Sequence, residues 1–261
     1  MTRKSLFGAC KSGQNAMLKI NAVSVHFGAV RALDNVSLTI EPNTTLGLIG
    51  PNGSGKTTLL NAITGVYPLA SGQILWRGQA IHNHPPHWIA RQGIARTFQN
   101  LRFFPRSSVL ENVKAAQLFP QRDQATPPSA ESLLDAVGLA HQADNLVDAL
   151  PLPDRRRLEL ARALAADPDL LLLDEPSGGM TPVEMTEMAA LIQQLALGKR
   201  TCIIIEHKMA LITALCDHVC VLNLGQKIAE GSPADVLTMP VVLDAYLGHE
   251  DTQEAADAPS P

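Results

Sequence analysis

Long apolar runs are missing from this sequence. Stretches such as Leu170-Leu171-Leu172-Leu173 and Ile203-Ile204-Ile205 fall far short of the roughly 20 residues that a membrane-spanning helix needs, so the chain is not expected to cross a bilayer by itself. A surplus of positive charge is also missing: 21 Lys and Arg stand against 25 Asp and Glu, for a formal net charge of -4. Without a basic field for a phosphate backbone, nucleic acid is not an expected partner. Cysteine is sparse, and Cys10, Cys202, Cys216 and Cys220 lack the spacing of a metal site. Two of them sit in apolar segments, where thiols act as small core residues, and a reducing cytosolic setting fits. The start, MTRKSLFGACKSGQNA, has basic residues but no apolar stretch or clear cleavage pattern, so no secretory signal is read there.

What is present describes a folded domain. The 261 residues are 46% hydrophobic and 18% charged, with 18 Gly and 18 Pro, a composition of globular rather than disordered chains. Residues 1–17 are expected to be a flexible leader and 249–261, within the polar run HEDTQEAADAPSP, a disordered tail. Between them the runs LKINAVSVHF, VSLTI and TLGLI read as strands, broken by turn-formers at Asp34-Asn35 and at Glu41-Pro42-Asn43. Short amphipathic helices such as VLENVKAAQLF and ESLLDAVGLA, separated by the Pro-rich linker QRDQATPPS, suggest a helical subdomain over about 100–168. Strands and helices then alternate through LLLLD, a helix from about Pro182, TCIIIE, a helix after His207, HVCVLNL and KIAEG. The expected fold class is α/β: a P-loop NTPase core with a mainly parallel sheet, an N-terminal antiparallel β subdomain and an inserted helical subdomain.

The strongest chemical signal is Gly50-Pro51-Asn52-Gly53-Ser54-Gly55-Lys56-Thr57-Thr58, a phosphate loop between a strand and a helix. Its glycines let the backbone N–H groups from Gly53 to Thr58 turn toward phosphate oxygens, and the helix N-terminus adds positive potential. Lys56 is expected on the β- and γ-phosphates of ATP and Thr57 on Mg²⁺. Asp174 and Glu175 follow the four leucines at the end of a buried strand, where open α/β sheets bind ligands. Asp174 would join the Mg²⁺ shell, and Glu175 would polarise an attacking water as general base. Gln99 in IARTFQN and His207 in TCIIIEHK also end predicted strands. Alone, each reads more readily as a surface amide or a satisfied histidine; in this company both converge on the γ-phosphate, with Gln99 joining Thr57 and Asp174 at the metal.

With these residues in this order, the sequence resembles the ATP-binding subunits of ABC transporters over about residues 18–248. More narrowly, RTFQNLRFF with VLENV, RRLELARAL, IIIEHKMALI, VLNLGQKIAEGSP and AYLG resemble the branched-chain amino acid importer group. The resemblance implies an ATPase cytoplasmic and peripheral on the inner face of the cell membrane. Its implied partners are a second ATP-binding subunit, transmembrane permease subunits and a separate solute-binding protein. It makes Phe27 the adenine-stacking aromatic, a residue that by itself reads as core, and places the permease contact at Gln99 to about Val113. There Phe103 and Phe104 serve either that contact or internal packing.

One departure stands out. The family signature, Leu-Ser-x-Gly-Gln or close to it, aligns with Leu150-Pro151-Leu152-Pro153-Asp154 ahead of Arg155-Arg156-Arg157. In the family this segment starts a helix whose N-terminus addresses the γ-phosphate on the partner subunit. Proline has no N–H and restricts the residue before it, so donors are lost there; Pro153 equally suits the first position of a helix. The loop Ser177-Gly178-Gly179-Met180-Thr181 also ends in Thr where the family has Asp or Asn. These departures favour a heterodimer with one competent site. They also leave open a nucleotide-binding subunit with weak hydrolysis, or a soluble ABC ATPase outside transport.

Overall fold

Alternation of buried and exposed side chains builds the first sheet of the computed structural model, which describes residues 16–98, 101–118 and 127–247. In β1 (Leu18–Phe27) the residues Leu18, Ile20, Val23 and Val25 are buried, and β2 (Val30–Ile40) answers with Leu33, Val36, Leu38 and Ile40 across an antiparallel ladder. The break expected at Asp34-Asn35 is not there. The strand runs through it as a bulge: Val23 opposes Val36 while Val25 opposes Leu33, and Asn35 takes φ +55°, a left-handed conformation that Asn tolerates better than most residues. The expected turn at Glu41-Pro42-Asn43 does separate β2 from β3 (Thr45–Ile49), with Asn43 at φ +57°. After β3 come α1 (Lys56–Ile63), β4 (Ser71–Trp76) and β5 (Gln79–Ala80), and the last two complete a four-stranded antiparallel sheet ordered β2-β1-β4-β5.

The second sheet has six strands. The chain continues through α2 (Pro86–Arg91), β6 (Ile94–Arg96), α3 (Val109–Gln117), α4 (Ala130–Ala136), α5 (Leu152–Ala165) and β7 (Leu170–Asp174), then α6 (Pro182–Leu195), β8 (Thr201–Ile205), α7 (Met209–Leu215), β9 (His218–Asn223), β10 (Gln226–Gly231) and α8 (Pro233–Val236). Strand order is β10-β9-β3-β8-β7-β6, with β10 antiparallel to β9 and every other pairing parallel. All residues of β3, β7 and β8 are buried, as continuous apolar strands covered on both faces must be. The pleat divides β7 between two cores. Leu170 and Leu172 pack with Leu48, Leu60 and the antiparallel sheet, while Leu171 and Leu173 pack with Leu160, Leu164 and Ile192 from the helices.

Helices α3, α4 and α5 lie in the chain between β6 and β7. Ser108 caps α3 with a reciprocal pair: Glu111 N–H donates to Ser108 Oγ at 3.1 Å and Ser108 N–H to Glu111 Oε2 at 2.7 Å. This satisfies two donors that the first turn leaves open. Most of the linker 121–129 falls outside the described residues, as do Cys10, residues 1–15 and 248–261. Cys202, Cys216 and Cys220 are free and buried, and burial pushes each thiol up to about 12. They are therefore packing groups, not reactive thiols.

The end of β9, paired in parallel with β3, leaves no room at Gly50. A Cβ there would sit 2.0 Å from the Leu222 carbonyl oxygen and 2.8 Å from Ser54 Oγ, at φ +144°. Gly50→Ala is expected to cost at least about 1–3 kcal/mol, read as a lower denaturant midpoint; an unchanged midpoint would contradict this packing.

Candidate nucleotide site

Lys56 opens α1 and yet is buried. Its ammonium donates to the Gly50 carbonyl at 2.8 Å, the Pro51 carbonyl at 2.9 Å and Ser54 Oγ at 3.4 Å. Burial pushes its pKa down, and the carboxylates of Glu175 and Asp174 act in the opposite direction with less effect. A cation held mainly by neutral oxygens at a helix N-terminus is a positive centre suited to an anion. The loop itself is tied to the other sheet: Gly225 N–H donates to the Ser54 carbonyl at 3.1 Å, and Asp34 N–H to the Gly225 carbonyl at 2.9 Å. Asn52, Gly53 and Thr57 are exposed, Ser54 is buried, and Gly55 and Thr58 are partly buried.

The acidic pair sits where the leucine strand ends. Asp174 is buried, with its N–H donating to Thr97 Oγ1 at 3.1 Å and its Oδ2 accepting from Arg96 at 2.8 Å. Glu175 continues the ladder by one bond, N–H to the Ile205 carbonyl at 3.0 Å, and then turns into a left-handed conformation at φ +50°. Such a backbone is strained for a residue with a Cβ. The turn places Glu175 Oε1 at 2.8 Å from His207 Nε2, so the acid and the histidine expected at separate strand ends are in direct contact. Glu206, immediately before the histidine, is buried and accepts from Ser177 N–H at 3.0 Å and Ser177 Oγ at 2.6 Å. The loop after Glu175 is thereby fastened to the strand that presents His207.

Gln99 lies outside the described residues, but the chain leading to it is fixed. Phe98 N–H donates to Glu159 Oε1 at 2.6 Å and its carbonyl accepts from Arg156 at 3.4 Å, both from α5. Burial raises the Glu159 pKa, while the Phe98 N–H and the Arg156 and Arg162 charges lower it. Phe27 is not core: it is 46% exposed at the end of β1, with its ring edge-on to Tyr67 at 4.9 Å between centroids. The two phenylalanines of the next segment divide their roles, since Phe103 packs against the core and Phe104 is exposed, with Arg162 over both rings.

Helix α5 starts one residue earlier than a proline at its first position would require. Pro151 is the N-cap residue, Leu152 the first helical residue and Pro153 the second; Arg155 N–H is already bonded to the Pro151 carbonyl at 3.0 Å. Only the N–H groups of Leu152 and Asp154 remain as donors in the first turn, and Asp154 adds a carboxylate there. The terminal Thr181 of the loop after Glu175 has a structural use, capping α6 in a reciprocal pair with Glu184. Arg96, Glu159 and Glu206 carry no motif signal, and Arg156 and Ser177 stand in motif segments that assign them no such contact. A charged residue in or beside a strand reads as solvated until the packing shows its partner.

Among the described residues no cluster of three or more His, Cys, Asp or Glu forms a ready metal site. The pocket lined by Asn43, Thr44, Asp217 and His218 lies at the opposite, amino-terminal ends of β3 and β9.

Comparison with known proteins agrees with this geometry. The ABC transporter family matches residues 33–178, and the branched-chain amino acid ATP-binding cassette transporter family matches residues 226–252. The chain is 36% identical to the high-affinity branched-chain amino acid transport ATP-binding protein LivG of Escherichia coli, over 89% of this chain and 98% of that one. It is 35% identical to the corresponding protein BraF of Pseudomonas aeruginosa, with the same coverage. Among solved structures, an ATP-binding cassette of an ABC transporter in its ADP conformation superposes with a TM-score of 0.80 at 30% identity, covering 90% of this chain and all of that one. A nucleotide-free cassette gives the same TM-score at 29% identity, over 88% of this chain and 98% of the other. The chain belongs to the ABC transporter family, as one of its ATP-binding cassettes.

Proposed function

We propose that this chain binds ATP on its own phosphate loop and hydrolyses it to drive a membrane importer for branched-chain amino acids or related small solutes. The observation that carries the reading is the convergence, at the carboxyl edge of one parallel sheet, of a buried lysine, a buried aspartate and a glutamate in contact with a histidine. Lys56 would exchange its loop oxygens for the β- and γ-phosphates, and the N–H groups of Gly53 to Thr58 would receive the rest of the phosphate charge. Phe27, exposed at the end of β1, would stack on the adenine. The residues also fit Mg²⁺: the buried Asp174 Oδ1 has no hydrogen-bond partner, and Thr57 lies on the exposed side of the same helix start. Thr57, Asp174 and Gln99 would hold the ion, which supplies neutralisation of charge on the β- and γ-phosphates. Glu175 would take a proton from the attacking water, while His207 holds its other oxygen contact and senses the γ-phosphate.

No helix of the described residues is long and apolar enough to cross a membrane, so attachment is assigned to separate permease subunits. Exposed Phe104 with Arg162 is the surface proposed to meet them, on the cytoplasmic face; a solute-binding protein would deliver the cargo. The second ATP-binding subunit is proposed to be a different chain. In a head-to-tail pair, the first turn of α5 would face the partner's γ-phosphate. Pro153 removes one donor from that turn and Pro151 the N–H just before it, so the site on the partner's loop would be weakened while this chain's own loop is intact.

Lys56→Ala is expected to lower ATP affinity at least about tenfold, measured by equilibrium titration; unchanged affinity would sink the loop assignment. Glu175→Gln should keep ATP affinity and slow turnover of the assembled complex about 10²–10⁴-fold, the usual share of a general base. Turnover equal to the parent would remove Glu175 from that role. Restoring Ser at 151 and Gly at 153 is expected to raise the ATPase of the complex by opening its second site. No gain, together with substantial activity surviving Glu175→Gln in the parent background, would mean that the working site lies on the partner's loop.

A further inference from the structure

Arg96 is buried beside Asp174, with side chains 5% and 2% exposed. Its guanidinium is divided between two acceptors, Asp174 Oδ2 at 2.8 Å and Asn61 Oδ1 at 2.6 Å, and lies 5.1 Å over the Phe98 ring. One planar group thus joins the helix after the phosphate loop, the strand leading toward Gln99 and the acid that ends β7. An ion pair serving stability alone would use the arginine fork on both carboxylate oxygens. Here the second arm goes to Asn61, and both Arg96 Nε and Asp174 Oδ1 are left buried with no hydrogen-bond partner. Buried polar atoms in native proteins are rarely left so. With Oδ2 pinned by Arg96 and the Asp174 N–H held by Thr97 Oγ1 at 3.1 Å, the free oxygen is fixed in direction.

We propose that Arg96, braced by Asn61, is a positioning residue for the divalent cation: it holds Asp174 so that Oδ1 is presented to the metal or its water. The inference rests on the nucleotide reading above. It is not the same as a role in folding, because it locates the effect of Arg96 at the metal and not at the nucleotide. Partners that orient metal-binding groups typically change metal affinity about 10–100-fold when lost.

The test uses the full chain with a non-hydrolysable ATP analogue and Mn²⁺, whose bound fraction is read by electron paramagnetic resonance. Arg96→Met is expected to weaken Mn²⁺ binding about tenfold or more, and Asn61→Ala, which keeps the charge pair but frees the guanidinium, by a smaller factor of roughly two to five. Arg96→Lys should fall between the parent and Arg96→Met. Nucleotide affinity in EDTA should stay within about twofold in all three, since the phosphate loop is untouched. Unchanged Mn²⁺ affinity in Arg96→Met and Asn61→Ala overturns the proposal, and so does tighter Mn²⁺ binding in Arg96→Met, which would make the guanidinium a competitor of the cation. Should Arg96→Met fail to fold, Asn61→Ala decides. A parent chain that binds nucleotide without Mn²⁺, or neither, would overturn the nucleotide and metal reading itself, a result distinct from normal parent binding with unaltered variants.

Discussion

Opposite charges taken out of water at one edge of a sheet set the terms for the rest of this molecule. Lys56, Arg96, Asp174, Glu159 and Glu206 are all buried or nearly so. Each would be costly without a partner: breaking a buried pair by removing one side typically costs about 3–5 kcal/mol. The fold answers each in turn. Loop carbonyls surround the lysine, the β6 arginine meets the aspartate, and Ser177 meets Glu206. The partners come from different strands, so compensation of charge also fixes the loops relative to one another.

The same logic links the site to α5. Glu159 and Arg156 bond the N–H and the carbonyl of Phe98, so the end of the segment after β6 is tied to the helix begun by Pro151. Its far end is unusual for a different reason. A helix N-terminus attracts anions through free N–H groups, and here Pro151 and Pro153 supply none. The helix keeps its packing role through Leu158, Leu160, Ala161 and Leu164 while losing donors at its tip.

Much of this was legible in sequence because the signals are local. The four leucines before Asp174, the glycine-rich loop before Lys56 and the isoleucines before Glu206 each carry their own context, and the parallel sheet follows from their alternation with helices. What was not legible depends on contacts between distant residues. Asp34-Asn35 reads as a turn because both residues favour one, but the ladder with β1 absorbs them as a bulge. Phe27 reads as core, and the end of its strand leaves it exposed. Arg96 is separated from Asp174 by 78 positions, and no periodicity or spacing reports that distance. The hydrogen bond between Glu175 and His207 is not legible in the sequence, since the left-handed turn at Glu175 that closes it has no signature in the residue type.

The central claim is that this chain carries an intact phosphate site and gives a defective half-site to its partner. Counting the ADP trapped by vanadate in the assembled ATPase pair tests it most directly, with a photoreactive adenine analogue to report which loop holds it. One ADP per pair, crosslinked to this chain, is the result predicted. Two per pair, or trapping on the partner's loop alone, would contradict the account.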